Sequence, residues 1–344
     1  MKAAIVHSPR DLRIEEADVA AMGPRDVKIR IRAGGICGSD LHYFLHGGFG
    51  TVRIQQPMIL GHEASGEVME TGAEVTQVRP GDRVAVNPSL PCGHCRYCLE
   101  GKANHCLDMR FNGSAMRMPH MQGLFREVVV CGEAQAVPVG ADVPLERVAF
   151  AEPLSVCLHA ARQAGSLQGR RVLVTGAGPI GALCVLVARH AGAREVVATD
   201  VADAPLAVAR QIGADFALNT ASNPKALERF NADKGHFDVV FEASGAGPAL
   251  AGALQAARPG ATIVQLGIGN GDMSVPMNLV VAKEITLRGS FRFHEEFATS
   301  VAFLASGAID VRPLLTEIVP LADAVRAFEL AADRSRAMKV QLAL

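Results

Sequence analysis

Between residues 27 and 31, apolar and charged positions alternate, the period-two signature of a half-buried strand. Residues 66–69, 83–86 and 125–131 read the same way, each close to glycine or proline. Short strands separated by turn residues predict an antiparallel, barrel-like domain in the first third of the chain. The pattern changes near Phe150. Residues 153–165 space their apolar positions as a helix does, 171–175 form a β-branched run, and a glycine turn leads into a helix over 180–191. A strand at 195–199, a helix at 205–212 and strands at 237–242, 262–266 and 285–289 follow. Strands alternating with helices predict βαβ units and a parallel sheet. Helical periodicity returns at 295–306 and 321–332, and 339–342 is strand-like. The expected architecture is a β-rich domain, a dinucleotide-type α/β domain, and a C-terminal return to the first.

A chain of 344 residues, 49% apolar, suits two domains with large cores. The formal net charge of −1 gives no general attraction to nucleic acid or anionic lipid, so neither is expected as a partner. The most apolar stretch, 172–193, is interrupted by Gly176, Gly178, Pro179 and Gly181. It therefore predicts a buried strand and helix, not a membrane span. No long apolar run follows Met1, so no secretory signal is expected and the cytoplasm is the default location.

Gly176-Ala-Gly178-Pro179-Ile180-Gly181 fits G-x-G-x-x-G between a predicted strand and helix, and Asp200 closes the next strand. Gly176 allows the tight turn, Gly178 lets backbone approach a pyrophosphate, and Gly181 permits close packing of helix on strand. The helix N-terminus offers unpaired N–H groups to the phosphates. Asp200 would accept from ribose hydroxyls and repel a 2′-phosphate, which predicts NAD over NADP. The alternative is a glycine turn of another α/β protein with Asp200 as a solvated strand end.

Eight cysteines are present, and four crowd into Cys92-x-x-Cys95-x-x-Cys98-x₇-Cys106. Four thiolates in one loop suit a closed, structural zinc site; an iron–sulfur cluster or unmetallated thiols are the competing readings. His94 and His105 lie between them as bystanders. A dispersed set, Cys37, His62 and a carboxylate, has the composition of a catalytic zinc site with one open position. Taken singly, Cys37 also reads as a small buried residue, His62 as a core histidine and Glu63 as a surface charge.

The order Gly35-Ile-Cys37-Gly-Ser39-Asp40-Leu-His42, Gly61-His62-Glu63, four-cysteine loop and Gly176–Gly181 resembles the zinc-containing medium-chain dehydrogenase superfamily over essentially the whole chain. Glu63 after His62, and Glu152 in Ala151-Glu152-Pro153-Leu154, resemble its polyol dehydrogenase branch; simple alcohol enzymes have cysteine at position 152. The resemblance implies a GroES-like β-barrel catalytic domain over 1–154 and 293–344, carrying the structural zinc loop. It also implies a doubly wound Rossmann NAD-binding domain over 155–292.

By matched position, Cys37 and His62 would hold a catalytic zinc, with Glu63 and Glu152 as interchangeable candidates for the third ligand. Ser39 would relay a proton by way of the ribose hydroxyls to His42. Gly176, Gly178, Pro179, Ile180, Gly181, Asp200, Gly267, Ile268 and Ser290 would contact NAD. Tyr43, Glu152 and Arg292 match substrate contacts, and Asp40 would orient backbone only. Pro205 stands where many relatives have an arginine, leaving Asp200 as the main cofactor determinant.

The stretches 87–95, 108–116 and 287–293 resemble the members of that branch that oxidise L-idonate at C5 to 5-ketogluconate. A sugar acid would need a cation for its carboxylate, and Arg110, Arg117 and Arg292 are candidates, Arg110 foremost. Sorbitol, xylitol and L-threonine dehydrogenases remain alternatives, as does a noncatalytic NAD-binding protein on the same fold. The resemblance further implies a homo-oligomer, a tetramer.

Overall fold

The alternation at 27–31 belongs to a ten-residue strand, Asp26–Gly35, which buries Val27, Ile29 and Ile31 completely. In the computed structural model, which describes residues 1–269 and 271–344, this strand is the spine of one of two compact units. That unit comprises Met1–Glu152, Phe297–Asp333 and Lys339–Leu344. One edge of the strand pairs with Glu63–Thr71 along its whole length. The other edge is shared: Val128–Gly132 pairs with Asp26–Arg30, and Lys339–Ala343 pairs with Ala33–Gly35. Arg83–Val86, Ala136–Val139 and Leu315–Pro320 complete a seven-stranded sheet. Alternate inward residues, among them Val68, Val84, Val86 and Val129, fill its core.

The second unit comprises Pro153–Glu296 and Arg334–Met338. Its sheet is parallel throughout, in the order Phe216–Asn219, Glu195–Asp200, Arg171–Thr175, Phe237–Glu242, Ala257–Gln265, Thr286–Gly289. In chain order this is 3-2-1-4-5-6, the doubly wound arrangement whose ligand crevice opens where the order reverses, between Arg171–Thr175 and Phe237–Glu242. Leu173, Val197, Val240 and Ile263 are buried in these strands, with Leu250 and Leu254 of the helix Gly247–Ala256 against them.

The parallel sheet follows the predicted alternation closely; Arg171–Thr175 and Phe237–Glu242 have the expected bounds. The helix Gly38–His46 was not expected, because glycine opens it and only Asp40, Tyr43 and Phe44 are buried, too few to show a period. Gly247–Ala256 also escaped the pattern, being apolar on most faces after a Gly-Pro start. The predicted strand at 262–266 is the second half of Ala257–Gln265, whose first half runs through Pro259 and Gly260. Among the described residues, no helix is long and apolar enough to cross a membrane.

Within the second unit, Glu296 is 6% exposed and accepts from His159 Nδ1 at 2.9 Å and from the His294 N–H at 2.8 Å. Burial opposes its charge, but these hydrogen bonds outweigh burial and hold its pKa at about 2, below the ordinary 4.5. A depressed carboxylate contributes stability that is complete above its unfolded pKa and is lost as pH falls through the folded one. The Glu296→Gln variant is therefore expected to melt lower than wild type at pH 7. The gap should narrow as pH falls from about 4.5 toward about 2. A gap that stays constant across that window would sink the assignment.

Candidate active site and metal centres

Register brings the first donors together. Gly35 pairs with Glu63 across two antiparallel strands, so Cys37, just past one strand, meets His62, just before the other. Ligand atoms of Cys37, His62 and Glu63 lie within 4.8 Å of one another. Cys37 caps the helix Gly38–His46, and its N–H donates to Asp40 Oδ2 at 3.0 Å. Asp40 is fully buried and also accepts from the Gly61 N–H at 3.1 Å, while its Oδ1 lies 3.6 Å from His62 Nδ1. One carboxylate thus binds the turn carrying Cys37 to the turn carrying His62, the backbone-orienting role expected of it.

Glu63, 1% exposed, faces Lys339, a residue that sequence reading passed over. Lys339 Nζ donates to Glu63 Oε1 at 2.6 Å and to the Ile36 carbonyl at 2.9 Å. It also lies 2.5 Å from Oε2, but out of hydrogen-bond alignment, so that oxygen has no donor. Burial opposes the charge on Lys339; Glu63 and then Cys37 outweigh it and raise the pKa. Removing one member of such a pair typically costs about 3–5 kcal/mol. Nothing local in 339–342 announces the lysine, since its partner is 276 residues away. Gly35 makes room for the pair: a Cβ there would stand 2.2 Å from Glu63 Oε2.

A thiol, an imidazole and a buried carboxylate oxygen without a donor, grouped this closely, fit zinc in both number and chemistry. Glu152 is buried near the Lys339 charge but outside this group. Ser39 and His42 are half-buried and three residues apart on the helix Gly38–His46, hence on one face.

Cys92, Cys95, Cys98 and Cys106 form the second group, again with ligand atoms within 4.8 Å of one another. Backbone N–H groups point at the sulfurs: Cys92 and Asp108 donate to Cys106 at 3.2 and 3.3 Å, Cys95 to Cys92 at 3.4 Å, and Leu107 to Cys95 at 3.5 Å. Such donors stabilise thiolates, the form that binds metal. His94 turns its Nδ1 to the Cys92 carbonyl at 2.8 Å, outside the cluster.

In the second unit, Gly176 has φ +83, and a Cβ there would press on Ser244. A Cβ on Gly181 would lie 1.7 Å from the Gly176 carbonyl, so only glycine lets the helix Pro179–His190 come this close. At Gly178 a Cβ would meet nothing within 4 Å. That open face, at a helix N-terminus with Pro179 in its first turn, is the cradle a pyrophosphate requires. Asp200 Oδ2 accepts from the Ala177 N–H at 2.7 Å, and Oδ1 from Val201 and Ala202 at 2.7 and 3.0 Å. Gly267 packs on Gly245, Ile268 is 70% exposed, and the Ser290 hydroxyl is buried without a partner.

The substrate candidates separate. Tyr43 is 2% exposed and its hydroxyl accepts from the Ala115 N–H at 3.0 Å, so it holds the segment after the cysteine loop. Arg117 is occupied by Asp108 at 2.6 Å and by the Met109 and Leu107 carbonyls at 2.8 and 3.0 Å. Arg292, at φ +55, stacks on Phe291 in the second unit. Arg110 is exposed, on a short strand whose next residue, Phe111, puts its ring 5.7 Å from that of His62.

Comparison with known proteins agrees with this geometry. The family profile described as "Alcohol dehydrogenase GroES-like domain" matches residues 23–141, and "Zinc-binding dehydrogenase" matches 179–306. The L-idonate 5-dehydrogenase (NAD(P)(+)) of Escherichia coli K12 is 44% identical, covering 91% of this chain and 90% of that protein. The sorbitol dehydrogenase of Macaca fascicularis is 36% identical, covering 94% and 91%. The crystal structure of the E. coli L-idonate enzyme superposes with a TM-score of 0.96 at 41% identity, covering 100% of this chain and 98% of that one. The chain belongs to the zinc-binding medium-chain dehydrogenases, in their polyol dehydrogenase branch. It is a zinc-dependent, NAD(P)-linked alcohol dehydrogenase.

Replacing Cys106, the most buried of the four thiols, with Ser is expected to lower zinc from about two to about one per chain and to reduce the melting temperature. Elemental analysis of the purified variant reads this directly. Unchanged zinc would mean that the four-cysteine loop holds none.

Proposed function

We propose that the protein oxidises a secondary hydroxyl of a sugar acid, L-idonate at C5, giving 5-keto-D-gluconate and NADH. One observation carries the choice of an acid over a neutral polyol: the segment after the cysteine loop is fastened onto the His62 turn and bears an arginine with no ion-pair partner among the described residues. Gly113 and Gly123 press on the backbone of Gly61 and Leu60, Phe111 lies by His62, and Ala115 is held by Tyr43. Arg110 projects from this anchored segment on the side opposite Phe111, where it suits the carboxylate at the far end of the substrate from C5. The name of the E. coli relative supports the same reading.

In this reading Cys37 and His62 hold the catalytic zinc, and Glu63 or Glu152 completes the set. The cysteine loop holds the structural zinc. At the first of these sites zinc would supply Lewis-acid chemistry that strongly lowers the pKa of an oxygen bound to it. Ser39 takes the proton released at the substrate hydroxyl, and His42, an imidazole that can both accept and release a proton, passes it to solvent. Lys339 neutralises Glu63, so the donor set does not carry a surplus of buried negative charge. Asp200, an acid at the end of the strand after the glycine turn, would favour NAD over NADP by repelling a 2′-phosphate.

The protein is further proposed to act in the cytoplasm as a homotetramer. Thr286–Gly289 ends the parallel sheet with all four residues exposed, an edge that a second copy can pair with. Light scattering that returned a monomer would overturn this assembly.

The function is tested by NADH appearance with L-idonate, D-sorbitol, xylitol and L-threonine at equal concentration, and again with NADP. L-Idonate with NAD should be fastest. In the Arg110→Ala variant, KM for L-idonate should rise about tenfold, as loss of one charge-assisted contact predicts, with D-sorbitol nearly unchanged. Equal loss on both substrates would remove Arg110 from acid recognition, and a wild-type preference for a neutral polyol would reject L-idonate.

A further inference from the structure

The second unit contains a buried carboxylate that no step above uses. Glu242 ends the strand Phe237–Glu242 and is 0% exposed. In register it lies between Thr175, the last residue of one neighbouring strand, and Gln265, the last of the other. These three residues form a polar row at the carboxyl edge of the sheet, where the strand order reverses.

Both oxygens of the carboxylate are fully engaged, and of the row's side-chain atoms only Gln265 Oε1 is buried without a partner. Glu242 Oε1 accepts from the Thr175 hydroxyl at 3.2 Å, the Ser244 N–H at 3.0 Å and the Ser244 hydroxyl. Oε2 accepts from the Gly245 N–H at 3.0 Å and from Gln265 Nε2. Gln265 Nε2 also donates to the Gly267 carbonyl at 2.9 Å. The Glu242 carbonyl in turn accepts from Leu266 and Gly267, both at 2.8 Å.

Three loops meet around this carboxylate, and they meet through glycines. A Cβ on Gly176 would stand 2.8 Å from Ser244, one on Gly267 would stand 2.1 Å from the Gly245 nitrogen, and one on Gly245 would stand 2.8 Å from Ile268. The glycine turn, the Ser244–Gly245 loop and the Gly267–Ile268 loop are thus packed backbone to backbone. A carboxylate accepts only, and one this buried requires all of its donors. Its loss would free the latter two loops, which follow the fourth and fifth strands and so belong to the second mononucleotide-binding half of a doubly wound sheet, whereas Asp200, in the first half, holds the glycine turn independently through Ala177.

We propose that Glu242 is a positioning residue for the nicotinamide half of the cofactor. It sets the Gly267–Ile268 loop, through Gln265 and its own carbonyl, and the Ser244–Gly245 loop, through their N–H groups. This rests on the NAD reading given above. Glu242 touches no reacting atom; it acts through the loops.

The test compares NADH with ADP-ribose, which has the adenosine and both phosphates but no nicotinamide. Zinc-loaded wild type, Glu242→Gln and Gln265→Ala are titrated calorimetrically with each. Wild type must bind both; failure to bind either would reject the cofactor reading and the proposal with it. In Glu242→Gln, Kd for NADH is expected to rise about tenfold, as loss of charged hydrogen bonds predicts, while Kd for ADP-ribose moves less than about twofold and zinc content stays constant. Gln265→Ala, a milder cut of the same wiring, should show the same selectivity with a smaller rise, so the proposal stays testable if Glu242→Gln folds poorly. Equal weakening of both ligands would make Glu242 a general strut of the unit, and no change in either would leave it without a cofactor role; each overturns the proposal.

Discussion

A carboxylate taken out of water must be surrounded by donors, and the donors must be held still. In this chain Asp40, Glu63 and Glu242 are 1% exposed or less, and each is placed where loops have to be brought into register. Asp40 joins the Cys37 turn to the Gly61 turn. Glu63 joins the start of one strand to Lys339 near the chain terminus. Glu242 joins loops after three neighbouring strands. Candidate site residues such as Cys37, His62 and Gly267 lie in turns and loops, and these are pinned by acids whose desolvation leaves them no alternative partner.

This arrangement explains where glycine is required. Gly35 yields its Cβ space to the Glu63 carboxylate, and Gly267 yields it to the Gly245 nitrogen, with Glu242 Oε2 2.9 Å from the same point. In each case the space a side chain would fill is taken by an acid or by the backbone it holds. Gly178 has no such neighbour: a Cβ there would meet nothing within 4 Å. Packing accounts for Gly176 and Gly181, whereas Gly178, at the start of the helix Pro179–His190, leaves room for the phosphates proposed to bind there.

Sequence pattern revealed features that are local or periodic. The parallel sheet, the glycine turn with Asp200 and the four-cysteine loop are each written in a short span, and the structure has all three. The Cys37–His62–Glu63 group could be proposed only by resemblance, since its closeness comes from the pairing of Gly35 with Glu63 between distant segments. Lys339 and Glu242 were not legible. Each looks like an ordinary charge beside a strand, and its burial is decided by neighbours far along the chain. Tyr43 was legible as important, but its observed partner is the Ala115 backbone.

The same separation bears on how substrate choice can vary while chemistry stays fixed. The proposed metal donors sit on paired strand ends and at the cap of a helix, which tolerate little change because a one-residue slip would part Cys37 from His62. The segment that bears Arg110 is fastened at several points, among them Phe111 against His62, Gly113 and Gly123 against the Gly61 turn, Ala115 against Tyr43, and His120 and Gln122 as acceptors from the Gln55 and Ile59 N–H groups. Arg110 and Met116 nevertheless face solvent. Exchanging exposed residues on an anchored loop alters recognition without disturbing the anchor. On the proposed role of Arg110, a relative with the same fastening points and no arginine at this position would keep the zinc chemistry and have no cation there to favour an acid.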